Sequence, residues 1–147
     1  MTKAIAKSKR APAERAAEWV LRERYGCVAT RRALRTSYSK VDLFGCDVVG
    51  VDEDGYRIWV QVTAGQLSAV SARRRKLEKY PWHPTDMVMV WQLSSRPGKG
   101  RRKEWYFKAW EYEYLPYSDS KTGREWRIWD ELMFIRPEWF KAYKEAK

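Results

Sequence analysis

Hydrophobic and polar positions follow helical and strand periods in turn along the first half of the chain. Between Ala13 and Tyr25 the apolar residues recur at helical spacing, and Pro12 and Gly26 suit the first turn and the end of that helix. CVATRRAL, DVVGVD and YRIWVQVT each predict a strand, and the EDG between the last two predicts a hairpin turn. AGQLSAVSARRRKLEKY predicts a second helix.

Strand patterns dominate the second half. DMVMVWQL is a near-continuous apolar run, which is typical of a central strand, and the SSRPGKGRRK that follows predicts a loop. EWYFKAWEYEYL and EWRIWDELMFI predict a hairpin with SDSKTGRE at its tip, and PEWFKAYKEAK predicts a short closing helix. This order predicts an α/β fold with a mixed central β-sheet flanked by helices and a C-terminal β-hairpin extension.

Length and composition predict one domain. The 147 residues suit a single core, which we assign to residues 12–147, and the patternless basic stretch 1–11 predicts a disordered tail. No apolar run approaches the roughly 18–20 residues of a bilayer span, and the N-terminus lacks the apolar core of a signal peptide. Cys27 and Cys46 lie in apolar surroundings and predict buried, reduced thiols. We therefore expect a cytoplasmic protein without a membrane partner, located in the host cytoplasm if a phage encodes it.

The formal net charge of +11 indicates a polyanionic partner. Nucleic acid is the partner that this charge favours, because the chain lacks an amphipathic anchor for an anionic membrane. A heavily charged thermophile surface would explain many ions but not so large an imbalance. His83 is the one histidine, which excludes nucleases and metal sites built on several imidazoles. Neither G-x-x-x-x-G-K-[ST] nor G-x-S-x-G occurs, which excludes the nucleotide hydrolysis and serine chemistry of those motifs.

Polar residues occupy the ends of the two hairpin strands. Asp47 begins the first strand, and Gln61 and Thr63 end the second at a spacing that puts both on one face. Antiparallel pairing would bring Asp47 close to Gln61, and Glu14 on the preceding helix could lean over the same sheet. A cluster of oxygen atoms of this kind suits Mg²⁺, with Mn²⁺ as the alternative ion.

These residues resemble the pattern of the PD-(D/E)xK nuclease superfamily, and most closely that of archaeal-type and phage Holliday junction resolvases, over about residues 12–92. In that pattern a helix carries a glutamate, a strand opens with aspartate, and the next strand ends in (D/E)-x-K before a helix. Glu14 and Asp47 match the first two positions, and QVT takes the third. Ser37 lies in the loop where resolvases often carry a functional serine.

The resemblance implies a restriction-endonuclease-like fold and a catalytic metal site. The implied metal ligands are Glu14, Asp47, Gln61 and the carbonyl of Val62. Gln61 replaces the acidic residue of the motif and Thr63 replaces its lysine, so the site holds two carboxylates rather than three and lacks the motif cation. Some superfamily members move that cation to the following helix, where Arg73 and Lys76 share a face at i and i+3.

Each of these residues also has a structural interpretation. Glu14 would complement the dipole at a helix N-terminus, Asp42 would cap a loop, and Gln61 and Thr63 would be ordinary edge residues. Asp47 begins a hydrophobic strand and is the hardest of the set to explain without a partner.

Basic segments supply the predicted contacts with the DNA backbone. These contacts are assigned to Arg31, Arg32, Arg35, Ser37, Lys40, Arg74, Arg75, Arg101 and Arg102. For the arginine block of the second helix, the structural alternative is a solvated face. The aromatic residues of the C-terminal hairpin, beside the basic loop 96–103, could stack on unpaired bases, form a dimer interface or pack within the sheet.

We therefore expect a Mg²⁺-dependent endodeoxyribonuclease that cleaves branched DNA as a Holliday junction resolvase. Paired cuts on strands related by a two-fold axis imply a homodimer. Two alternatives stay open. One is a catalytically inactive nuclease-fold protein that binds DNA, because the (D/E)-x-K motif is altered. The other is a basic RNA-binding protein.

Overall fold

The computed structural model describes residues 2–35, 40–41, 43–100 and 102–139. This part of the chain contains two helices and nine strands. In chain order they are α1 (Thr2–Tyr25), β1 (Ala29–Arg32), β2 (Leu34–Arg35), β3 (Lys40–Val41), β4 (Val48–Val51), β5 (Arg57–Thr63), α2 (Leu67–Leu77), β6 (Met87–Pro97), β7 (Lys103–Tyr114), β8 (Arg124–Ile128) and β9 (Met133–Ile135). Residues 137–139 begin the helical turn predicted at the C-terminus, and the rest of that prediction lies outside the described residues.

Seven strands form one mixed, curled sheet in the order β1-β4-β5-β6-β7-β8, with β9 beside β7. Within the described residues, β5 and β6 form the one parallel pair, because α2 returns the chain to the same end of the sheet. The other neighbours in this sheet pair antiparallel. β2 and β3 pair with each other in a separate two-stranded sheet. The predicted α/β class, with a mixed central sheet and flanking helices, is confirmed.

Helix α1 packs on one face of the sheet through small side chains. Ala13, Ala16 and Ala17 are buried there against a layer that includes Val60 and Trp91. Alanine is the best helix former and projects only a methyl group, so the helix can lie close to the strands.

Helix α2 covers the opposite face. Val70 and Leu77 point inward and pack on Val88, Val90 and Trp110 of β6 and β7. The sheet therefore has two separate apolar cores, one under each helix, which explains why its central strands are hydrophobic on both faces.

The turn between β4 and β5 is the hairpin that the sequence predicted. One carboxylate oxygen of Asp52 accepts the N–H groups of Asp54 and Tyr56, both at 2.9 Å. Gly55 supplies the positive φ of +84° that the turn requires. This turn fixes the register that sets Val48 opposite Val60.

Helix α1 begins at Thr2 rather than at Pro12, so residues 2–11 continue the helix instead of forming the predicted tail. Alanine, lysine and arginine in this segment are strong helix formers, and the helix continues through Pro12 although an interior proline removes a backbone hydrogen bond and its ring crowds the carbonyl four residues earlier. The assignment of residues 12–147 to a single domain stays a prediction. Among the residues described, no helix combines the length and the hydropathy needed to cross a membrane.

Strands β6 and β7 extend into the basic segment 94–103, which was predicted as a loop: β6 runs to Pro97 and β7 begins at Lys103. Arg96 pairs with Glu104 across the ladder, with 3.0 Å between Nε and Oε2, so opposite charges support the extension. The predicted return strand is divided into β8 and β9, which both pair with β7 and are separated by residues 129–132. The C-terminal hairpin therefore continues the central sheet.

The two cysteines are free and buried, as predicted. Burial raises the pKa of the Cys27 thiol to about 11, with a further contribution from Asp52. The thiol is therefore protonated at neutral pH and behaves as a small apolar side chain.

Candidate active site

Asp47 lies immediately before β4 and is fully buried. Its backbone N–H donates to the Val60 carbonyl at 2.9 Å, and its own carbonyl accepts the Ala33 N–H at 2.8 Å. Its side-chain Oδ2 accepts the Val62 N–H at 2.9 Å. The two backbone bonds hold Asp47 between Ala33, just after β1, and Val60 of β5, and the third orients its carboxylate toward Val62.

The Val62 carbonyl points to the same side of β5 as Asp47. In an antiparallel ladder the N–H and C=O of one residue face the same neighbour. The Val62 N–H faces Asp47, so its carbonyl is directed toward the space past the start of β4. This direction agrees with the ligand role that the resemblance implies for the carbonyl.

Gln61 is fully buried beside Asp47 and lies on the α2 face of the sheet. Val60 and Val62 belong to the core under α1, and Trp59 packs on the core under α2, so alternation turns Gln61 and Thr63 toward α2. Neither Oε1 nor Nε2 of Gln61 finds a hydrogen-bond partner within the described part of the chain. The structure thus brings Asp47 into contact with Val62 and next to Gln61. The strand pattern predicted the approach of Asp47 to Gln61, and the resemblance implied the role of Val62.

Thr63 and Gln92 hold the chain where it leaves β5. The Thr63 hydroxyl accepts the Gly65 N–H at 3.0 Å, and the Gln92 amide donates to the Gly65 carbonyl at 2.9 Å. Ala64 and Gly65 are exposed. The protein surface therefore begins one residue after the buried Thr63.

Glu14 is buried on α1, within the small-residue surface that faces the sheet. Among the residues described, no group of three or more histidine, cysteine, aspartate or glutamate side chains is placed to hold a metal. The predicted set would not form such a group, because it contains two carboxylates and takes its other oxygen atoms from Gln61 and Val62. Because α1 packs on the face that carries Val60 and Val62, Glu14 and the Gln61 side chain lie on opposite faces of the sheet. Glu14 as the partner of Asp47 stays a prediction.

Arg73 and Lys76 lie half-buried on the inward half of α2, between Val70 and Leu77. Lys76 reaches the segment just before Asp47, since its Cε lies 3.4 Å from the position that a Cβ would take at Gly45. Both predicted cations therefore belong to the helix that covers the face of Gln61.

The predicted DNA-contacting residues divide by exposure. Exposed to solvent are Arg31, Arg75 and Arg102. Two others are held by neighbours: Nε of Arg32 lies 3.1 Å from Oε1 of Glu18, and the Arg74 guanidinium lies 5.7 Å from the centre of the Trp126 ring.

Four predicted contacts remain, in the segments around residues 35–40 and at residue 101. Arg35 and Lys40 are partners in the β2–β3 ladder, where only the backbone is described. Ser37 and Arg101 lie outside the described residues.

Glu18, a buried carboxylate one helical turn after Glu14, was not predicted from the sequence. Its oxygens accept the Thr30 hydroxyl at 2.7 Å and lie near Arg15 at 3.6 Å as well as near Arg32. The i,i+4 spacing from Glu14 was the signal that could have revealed it. Glu18 is neutralised by two arginines and ties β1 to α1.

Arg124 is the other missed residue, a buried cation at the start of β8. Its guanidinium donates to the carbonyls of Tyr112, His83 and Asp86, at 2.6, 2.7 and 2.9 Å. Burial lowers the pKa of Arg124. Arg124 thus links the loop around His83 to β7.

Comparisons with protein-family models, with curated proteins and with solved structures find no match to this chain.

Proposed function

We propose that this protein is a metal-dependent endonuclease with a restriction-endonuclease-like fold, and that it cleaves DNA phosphodiester bonds at branched sites such as a four-way junction. The order of elements supports the proposal: α1 carries Glu14, β4 follows Asp47, β5 ends in Gln61, Val62 and Thr63, and α2 comes next. This order follows the PD-(D/E)xK pattern. A homodimer is part of the proposal, because paired cuts on symmetry-related strands require two active sites.

The observation that carries the proposal is the buried carboxamide of Gln61, whose two polar atoms lack hydrogen-bond partners among the described residues, beside the carboxylate of Asp47. A buried polar group without a partner costs about 1–3 kcal/mol. Packing alone therefore disfavours glutamine here, since an apolar side chain would fill the space without that cost. A carboxylate, a carboxamide oxygen and the Val62 carbonyl are the hard oxygen donors that Mg²⁺ takes. The donor set fits such an ion.

Asp47, Gln61 and the Val62 carbonyl would hold the ion. Glu14 lies on α1, which packs on the face of the sheet opposite to the Gln61 side chain, so it is not counted among the ligands proposed for this ion. When bound, Mg²⁺ supplies positive charge that stabilises the attacked phosphate and lowers the pKa of the attacking water. The Val62 N–H contributes by fixing the rotation of the Asp47 carboxylate. That carboxylate is thus oriented before any ligand arrives.

The cation that the motif lysine would provide has to come from α2. Thr63 carries no charge, and its hydroxyl accepts the Gly65 N–H. Arg73 and Lys76 lie half-buried on the helix over this face and supply the positive charge that stabilises the phosphate under attack. DNA would approach by the exposed residues next to the site, which are Ala64 and Gly65 directly after Thr63 and Phe44 three residues before Asp47.

A second candidate is a nuclease-fold protein that binds DNA without cutting it. The burial of the site favours this candidate: Asp47 and Gln61 are fully buried, and Thr63 is almost so. Cleavage requires a phosphate to reach these groups, whereas binding through exposed arginines does not. Both candidates predict DNA binding, so only cleavage separates them.

The deciding experiment incubates wild type and Asp47→Asn with labelled four-way junction, duplex, single-stranded DNA and an RNA hairpin, in Mg²⁺ or in EDTA. The proposal expects paired nicks in the junction with wild type and Mg²⁺ only. Tight junction binding with no nick under any metal would contradict cleavage and support the second candidate. Preference for the RNA hairpin would contradict both.

A further inference from the structure

A two-residue turn just before Asp47 carries an exposed aromatic ring on a strained backbone. Leu43 and Cys46 exchange both backbone hydrogen bonds, at 3.1 and 3.0 Å, so Phe44 and Gly45 are the central residues. Their φ angles are +53° and +80°. Positive φ at both positions is the pattern of a type I′ turn, which prefers Asn-Gly or Asp-Gly. A bulky residue such as Phe44 is disfavoured at positive φ.

Packing offers little to offset this strain. The Phe44 side chain is 60% exposed. Its ring meets the edges of Trp59 and Tyr80, with centroid distances of 5.4 and 6.2 Å. Most of its apolar surface nevertheless stays in water and contributes no burial. Residues held in unfavourable backbone regions cluster at functional sites, where the strain is part of the mechanism.

The ring of Phe44 lies at the boundary between solvent and the candidate active site. It contacts Trp59, and Gln61 follows two residues later on the same face of β5, a distance of about 7 Å along the strand. Lys76 packs over Gly45, the next residue of the turn. The Phe44 ring and the Lys76 side chain therefore both lie next to Gly45, close to the buried side chains of Asp47 and Gln61.

We propose that Phe44 stacks on an unpaired DNA base next to the candidate site, and that this contact selects branched or bulged DNA over continuous duplex. In continuous duplex each base is already stacked between its neighbours, so an exposed ring gains no contact. At a branch or bulge a base face becomes available to an aromatic side chain. Lys76 attracts the phosphate next to that base. The inference rests on the proposed function for the choice of DNA as ligand, but not for cleavage.

Binding in EDTA tests the inference without any cleavage. The two probes are a labelled duplex with one unpaired thymine and the same duplex without it. Phe44→Asn should weaken binding to the bulged duplex by about 5- to 150-fold, the range for loss of one base–aromatic stack, and leave the continuous duplex unaffected. Phe44→Trp should keep the preference for the bulge. Tyr117→Ala is the matched control, because Tyr117 is 97% exposed in the turn between β7 and β8 and should affect neither probe.

Thermal unfolding of the same variants separates recognition from structure. Asparagine is favoured at this turn position, so Phe44→Asn should keep or raise the Tm by a few degrees while it loses the bulge preference. A purely structural Phe44 would give the reverse result, with a lower Tm and an unchanged preference.

An unchanged bulge preference in Phe44→Asn would overturn the inference, and so would an equal loss of affinity for both probes. This test can fail or succeed independently of the nicking experiment that tests the proposed function. A wild-type protein that binds bulged DNA through Phe44 but never nicks the junction in Mg²⁺ would contradict the nuclease and leave the stacking role intact.

Discussion

Replacing Gln61 by glutamate should make the stability of this protein depend strongly on divalent metal. The side chain at this position is fully buried beside Asp47, and in the described part of the structure its amide atoms have no hydrogen-bond partners. A carboxylate here would add a negative charge next to another carboxylate in a site of low dielectric. Burial and the charge of Asp47 would both raise the pKa of the new glutamate.

The magnitude follows from the linkage between protonation and folding. An unfolded glutamate has a pKa of about 4.3, and a rise to about 7 lies within the range known for buried carboxyls. Because the folded-state pKa is the higher one, the variant is unaffected below about pH 4 and loses stability as the pH rises toward 7. At about pH 8 the free energy of unfolding of Gln61→Glu falls by about 4 kcal/mol. Metal at about 100 times its Kd would restore about 2.7 kcal/mol of the free energy of unfolding.

Thermal unfolding followed by tryptophan fluorescence measures this effect, in EDTA and over a Mg²⁺ titration. At about pH 8 in EDTA, Gln61→Glu should unfold roughly 10 °C below wild type. Saturating Mg²⁺ should restore most of that difference and shift wild type much less. Gln66→Glu is the matched control, since it makes the same charge change at an exposed residue just before α2. Gln61→Met should raise the Tm in EDTA and abolish the response to Mg²⁺.

Two results would refute this reasoning. Superimposed Mg²⁺ titrations of wild type and Gln61→Glu would show that position 61 does not bind the metal. A Gln61→Met variant that is less stable than wild type in EDTA would show that the buried glutamine amide does not destabilise the folded protein.

Two further predictions concern the metal site and the basic surface. Asp47→Asn should slow Mg²⁺-dependent nicking by at least about 100-fold. Mutating a residue that only hydrogen-bonds to a metal ligand already lowers metal affinity or activity by about 10–100-fold, and Asp47 is proposed as a ligand itself. Its Tm in EDTA should change little, since an asparagine oxygen can still accept the Val62 N–H; nicking at the wild-type rate would contradict the site. Arg102→Ala with Lys103→Ala should reduce the slope of log affinity against log salt by about two, at about 0.9 counterions per phosphate contact. An unchanged slope would show that this turn does not touch DNA.

The part of the candidate site that the sequence predicted is the part set by local pairing. Asp47 and Val62 meet because EDG closes a hairpin, and the alternation of a strand then fixes the faces of Gln61 and Thr63. The helix after β5 follows from the same reasoning, because a parallel return requires a crossover element.

The missed features depend on distant partners or break local rules. Arg124 gave no signal in a polar hairpin tip, because the His83 carbonyl that it binds lies 41 residues away. Phe44 contradicts the residue preference of its own turn, so no turn rule could have predicted the type I′ geometry. Residues 94–97 predicted a loop because polar residues and proline are typical of loops. Cross-strand pairing with β7 nevertheless extends the ladder over them.

The parallel pairing of β5 with β6 has a consequence for how the protein folds. The β4–β5 hairpin closes over a short separation and can form within about 1–10 μs, whereas the β5–β6 ladder must wait until α2 has carried the chain back across the sheet. Neighbouring amides in β5 belong to different stages: the Val62 N–H is held inside the hairpin by Asp47, and the Gln61 N–H faces β6. We therefore expect pulsed hydrogen exchange during refolding to protect Val62 before Gln61; simultaneous protection would contradict this order. On this pathway the Asp47 carboxylate accepts its hydrogen bond from Val62 before β6 and the strands beyond it join the sheet.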